Sequence, residues 1–283
     1  MQALSADIEP IAHQLAEFAK TGKVDVPVLP ETAHRVMILT QDDDSDAAQL
    51  ANIIQSDPTM GGHVMRIANS AAYTPNSNLV SIQQAVARLG MVEISNIALS
   101  TSLNSKMFNA PGYEKNIAII WQHALATALW SKEVARSMRS NVEAAFLCGL
   151  LHSIGKPVIL QTIADKTKAG ADSINDEQLN QLFERFESEY CQIVAQEWDL
   201  PKIVSEAISF YKTFSSAPTQ PELAATIAFG SELANIMLYP DLFEKEAVLD
   251  SATLEFTNLY PDEINNILEK EPTIKANMDT LSL

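Results

Sequence analysis

The strongest constraint on this chain is the spacing of its apolar residues. They recur three and four positions apart along most of the sequence, and no run of β-branched residues alternates with period two. The segment "SDAAQLANIIQSD" shows the pattern plainly, with Ala47, Leu50, Ala51 and Ile54 on one helical face behind a capping residue. Asp57-Pro58 opens a further segment with proline at the first helical position, and "SIQQAVARLG" starts at a serine and stops at a glycine. Beyond a Pro-Gly break at 111–112, Ile117, Ile120, Trp121, Ala124 and Ala128 continue the same period. The spacing and caps predict helices over 45–55, 58–70, 82–89, 114–138, 142–153 and 176–198, hence an all-α, multi-helix fold with almost no strand.

Composition narrows the function classes. The chain has 283 residues, enough for a large core, and 47% of them are hydrophobic. Asp and Glu outnumber Lys and Arg by 36 to 19, a net charge of −17. Such a surface repels phosphate backbones and acidic lipids, so neither nucleic acid nor membrane is an expected partner. The excess is uneven: Ser216–Leu283 holds 12 acids and 3 lysines. The start "MQALSADIEP" has no basic stretch leading into an apolar core, and "AAFLCGLL" is short of the roughly 20 residues that span a bilayer. A cytoplasmic location is therefore the expectation, with Cys148 and Cys191 as buried thiols.

Few residues carry chemistry. The five histidines are His13, His34, His63, His123 and His152. His123 falls within one expected helix and His152 at the end of the next, so two antiparallel helices could bring them together. Asn69-Ser70 stands in an apolar context as a candidate local hydrogen-bonding pair. His63 and Arg66 read as a solvated helix face, and Met60, Met65, Met91 and Met107 as core filler. The acidic run at 42–46 lacks the glycine and terminal glutamate of a calcium loop and reads as a charged loop ending in a cap. Glu187, Glu189 and Glu197 read as the exposed face of a long helix, although they could also supply metal ligands.

Five ordered blocks resemble one known family. "LPETAHRVMILTQDDDSDAAQLANIIQSDPTMGGHVMRIANSAAY", "SIQQAVARLG", "WQHALATALWSKEVA", "LCGLLHSIGK" and "EWDLPKIVSEAI" follow the order seen in HDOD domains, the HD-related output domains of bacterial signalling proteins. The resemblance implies an HDOD domain over 25–215; the N-terminal helix expected over 1–24 and the acidic helical extension expected over 216–283 lie outside it. It implies an HD-domain-like helical bundle related to metal phosphohydrolases. There, a first histidine, a His-Asp pair and later ligands hold metal, and a following lysine can contact phosphate.

Carried over by position, His123 matches the first histidine, His152 the second, and Gly155-Lys156 the Gly-Lys. Ser153 stands where the aspartate belongs. A serine hydroxyl is a neutral, weak ligand, and the downstream "SFYKTF" offers Tyr211 and Lys212 instead of histidine. The resemblance therefore implies a vestigial metal or phosphate pocket at His123, His152, Ser153 and Lys156, with no catalytic residue and no cofactor beyond weak divalent-metal binding at His123 and His152. The expected function is a non-catalytic bacterial signal-transduction module that binds signalling proteins. The rival is a metal-dependent phosphohydrolase acting on a nucleotide or cyclic dinucleotide.

Overall fold

The computed structural model describes residues 5–40, 42, 44–74, 79–103, 107–166 and 174–282. Fifteen α-helices are present among them, with short 3₁₀ turns and no strand. In chain order they are α1 (Glu9–Thr21), α2 (Glu31–Leu39), α3 (Ala47–Gln55), α4 (Pro58–Ala68), α5 (Ile82–Leu89), α6 (Met91–Ser102), α7 (Glu114–Met138) and α8 (Val142–Leu151). There follow α9 (Gly155–Lys166), α10 (Asp176–Glu197), α11 (Lys202–Phe210), α12 (Pro221–Leu238), α13 (Leu254–Thr257), α14 (Pro261–Leu268) and α15 (Glu271–Leu281). The six expected helices are all present, and their limits agree closely.

Local chemistry sets most of these limits. Asp46 accepts from the Gln49 amide while Gln49 reaches back to the Asp46 amide, so the acidic run ends in a capping box. Asp57 accepts from the Thr59 and Met60 amides ahead of Pro58. Ser81, Asn141 and Asn175 cap α5, α8 and α10 in the same way. Ser5 does not cap with its side chain; it bonds Gln181 on α10 instead. Helix α4 stops at Ala68 because Asn69 takes over: its side chain donates to the Met65 and Leu79 carbonyls and accepts from the Leu79 amide. Of the acidic run, Asp43 lies outside the described residues, as do Asp172 and Ser173 ahead of α10.

Helices α7 and α8 form an antiparallel pair at the centre, α12 lies along α7, and α10 pairs with α9. Helices α2 to α6 pack as a group on one side. One hydrophobic cluster runs through the whole assembly, from Ile8 before α1 to Leu281 in α15. Helix α8 is buried from Ala144 to Leu151. The stretch Val142–Asp165 is apolar and long enough to cross a membrane by composition, yet most of it is buried inside the protein. It is also broken by a turn between α8 and α9.

The central crossing depends on a glycine. A Cβ on Gly149 would lie 2.7 Å from the Ala128 Cα, so only glycine lets α8 approach the α7 backbone this closely. Gly149→Val should therefore push the two helices apart and destabilise the protein by ~3 kcal/mol, at the upper end of overpacking costs. Urea denaturation followed by circular dichroism would measure it, and a midpoint equal to wild type would contradict the packing.

Candidate functional site

The two central helices deliver the two histidines to one point. His123 projects from the middle of α7 and His152 caps the C-terminal end of α8, with ring centroids 5.5 Å apart. Tyr211, just past α11, stands edge-on to His152 at 4.9 Å between centroids. His152 is fully buried, Ser153 is 2% exposed, and His123 is half-buried.

Each imidazole is fixed by a hydrogen bond. His152 Nδ1 donates to the Gly149 carbonyl at 2.7 Å, which assigns the proton to Nδ1 and leaves a lone pair on Nε2. That Nε2 is buried and has no partner among the described residues. His123 Nε2 lies 3.0 Å from Asn235 Oδ1 on α12 and donates to it. Burial, reinforced by the Lys156 charge, pulls His123 from 6.5 down to about 4. Burial and the neighbouring His123 hold His152 well below its ordinary value. Both rings are thus neutral at physiological pH.

Charge enters the site through Glu187. Its side chain is 2% exposed, so the reading of Glu187 as part of an exposed helix face is corrected; Glu189 and Glu197 are exposed as expected. Lys212 Nζ approaches Glu187 Oε2 at 2.7 Å and Lys156 Nζ approaches Oε1 at 3.5 Å. The Tyr211 hydroxyl donates to Oε1 at 3.1 Å. A carboxylate removed from water needs such partners. Burial alone would lower Lys212, but Glu187 and Glu184 outweigh it and hold its ammonium above the ordinary value. Burial, with Glu187 close by, raises the Tyr211 phenol, so Tyr211 remains a donor.

The sequence did carry a signal for Glu187. It lies four residues after Phe183 and three and four before Tyr190 and Cys191, all on the buried stripe of α10. Asn235 had no such signal: it reaches His123 across 112 residues of chain. Gly155 is explained by contact, since a Cβ there would sit 2.6 Å from the Glu187 carbonyl oxygen. The remaining candidates fall elsewhere: His63 and Arg66 are exposed on α4, and Met60 is buried while Met65, Met91 and Met107 are partly so. Both cysteines are free and buried.

These side chains do not fit the metal centre of an HD phosphohydrolase. His152 Nε2 has no partner among the described residues, Ser153 offers only a hydroxyl where the family resemblance places a carboxylate, and Glu187 is already matched by two ammonium groups. Among the described residues, no group of three or more His, Cys, Asp or Glu side chains is arranged to hold a metal ion.

The chain is thus of the all-helical, multi-helix class, with two imidazoles brought together by its central helices. The HDOD domain family model matches residues 26–214, and the chain belongs to that family. An HDOD domain protein of unknown function from Geobacter sulfurreducens superposes with a TM-score of 0.76, at 20% identity, covering 97% of this chain and 98% of that one. A candidate metal-dependent phosphohydrolase from Shewanella amazonensis SB2B gives 0.71 at 19% identity, covering 97% and 100%. A candidate signal transduction protein from Marinobacter aquaeolei VT8 gives 0.70 at 19% identity, covering 99% and 68%. At these identities the likeness concerns the fold alone. An uncharacterized protein from Treponema pallidum (strain Nichols) is 23% identical over 216 residues, which span 73% of this chain and 42% of that protein.

The depressed histidine affinities make a pH prediction. In the unfolded chain His123 takes a proton near pH 6.5, whereas in the folded chain it does so at about 4. The stability its neutrality contributes is full above about 6.5 and is lost as pH falls toward about 4. An NMR titration should find the His123 ring neutral at pH 5.5. His123→Gln should flatten the part of the stability loss between pH 6.5 and 5 that comes from this residue; a His123 titrating near 6.5 would contradict the geometry.

Proposed function

We propose that this chain is a non-catalytic signal-transduction module of the HDOD family, which acts by binding signalling proteins and needs no metal or other cofactor. The observation that supports this reading is the state of Glu187. The buried carboxylate beside the histidine pair is neutralised by Lys156 and Lys212 and bonded by Tyr211, so it is not free to offset a divalent ion. On this reading the pocket of His123, His152, Ser153 and Lys156 is vestigial and serves packing. The acidic surface argues against nucleic acid and membrane as partners and is compatible with a cytoplasmic setting.

One observation favours the rival reading, a metal-dependent phosphohydrolase acting on a nucleotide or cyclic dinucleotide. The His152 Nε2 lone pair is unpartnered and the His123 ring stands beside it. Metal analysis and turnover separate the two. Protein incubated with manganese, nickel or zinc and then gel-filtered should retain substoichiometric metal, and should hydrolyse neither cyclic dinucleotides nor a chromogenic phosphodiester above background. Ser153→Asp should raise metal retention without producing turnover, because Lys156 and Lys212 remain. Hydrolysis by the wild type that His123→Ala abolishes, with the helical spectrum intact, would establish the phosphohydrolase reading instead.

A further inference from the structure

Between α12 and α13 the chain displays apolar side chains that the core does not use. Every residue from Pro240 to Ala247 is exposed. Leu242 is 78% exposed, Phe243 43% and Leu249 41%. This is not a frayed end. The Leu242 and Phe243 amides both bond to the Tyr239 carbonyl, which folds the start of the segment into a turn. Val248 is buried in the core, and Ser251 bonds Glu232 on α12. Both ends of the segment are therefore anchored, and its leucines and phenylalanine are held outward.

The same segment has a strongly one-sided charge. Asp241, Glu244, Glu246 and Asp250 alternate with the apolar residues along the segment, all are exposed, and none has an ion-pair partner among the described residues. Lys245, the segment's one cation, is tied to Glu271 at the start of α15 at 2.6 Å. Its charge is thus answered within the molecule, and the carboxylates face solvent unopposed.

We propose that Pro240–Leu249 is a docking surface for a basic, amphipathic segment of a partner protein, whose apolar side chains cover Leu242, Phe243 and Leu249 while its lysines or arginines meet the surrounding carboxylates. Charge complementarity selects this occupant. A second copy of the chain would bring the same acidic face and a net charge of −17 against itself, and an acidic lipid surface would be repelled. The proposal concerns a surface away from the histidine pair, so it stands whichever reading of that pocket holds.

The test uses the full chain and a fluorescein-labelled helical peptide with leucine on one face and lysine on the other. A counterpart with serine in place of every leucine serves as control. Fluorescence anisotropy should show the leucine peptide binding, more weakly as salt is raised, with the serine counterpart at least about ten-fold weaker. Leu242→Ser combined with Phe243→Ser should weaken binding about ten-fold, and Glu244→Gln combined with Glu246→Gln should reduce both affinity and salt dependence. All four positions are exposed, so these variants should keep the wild-type helical spectrum. The proposal is overturned if the leucine peptide does not bind, if the serine peptide binds equally well, or if the apolar double variant binds as wild type does. Sedimentation that finds a dimer dispersed by Leu242→Ser would also overturn it, by assigning the surface to a second copy.

Discussion

Everything in this fold is arranged around how closely other helices can approach α7. Two small contacts decide it. Gly149 on α8 rests on the Ala128 backbone, and Gly230 on α12 rests on Ser131, where a Cβ would fall 2.2 Å from the serine Oγ. The two contact points lie three residues apart on α7, so α8 and α12 pack at nearly the same height. Close backbone approach at that level sets where the ends of both helices emerge. His152 follows from the first contact, since Gly149 also provides the carbonyl that fixes its ring, and Asn235 follows from the second, five residues beyond Gly230 on the same helix. The histidine pair is therefore a consequence of helix packing before it is a feature of chemistry.

The same geometry explains why the imidazoles are neutral. Three helices meeting over small residues exclude water, and desolvation disfavours a second proton on either ring. Lys156 adds to the effect on both. The lysines are not left unbalanced, because α10 brings Glu187 beneath them and Tyr211 closes the other side. A buried network of this kind is costly when one partner is missing and acceptable when all are present. Glu187, Tyr211, Lys156 and Lys212 belong together for that reason, and they join α9, α10 and the turn after α11 into one unit.

The fold was largely readable because it rests on local rules. Capping residues such as Asp46, Asp57, Ser81, Asn141 and Asn175 announce helix starts in four or five letters, and the observed caps use those side chains. Helix α9 was harder, since Pro157 stands within its first turn and its apolar residues cover every side, which removes the periodic signal. Spacing allows the histidine pair, by placing His123 and His152 on consecutive helices, but the family resemblance is what singles it out, because adjacency of α7 and α8 is a tertiary fact. Residue type hides Glu187: a glutamate amid Glu184, Arg185 and Glu189 looks solvated, although its helical position matches Phe183 and Tyr190. Asn235 lies beyond residues 26–214, in a helix whose place against α7 could not be read from local sequence.

Ser153, which the resemblance aligns with an aspartate, gains meaning beside Glu187. A divalent centre concentrates positive charge and requires several carboxylates around it. Here two ammonium groups from Lys156 and Lys212 already occupy the carboxylate near the histidines, with Glu184 sharing Lys212. Two lysines and two glutamates sum to zero, and both imidazoles are neutral. A buried aspartate at 153 would add a negative charge for which this arrangement holds no counter-ion, whereas a serine adds none. On the proposed reading, loss of the aspartate and capture of Glu187 by lysines are two halves of one change: the site has become electrically complete without a metal, and its remaining contribution is to hold α7, α8, α10 and α12 in register.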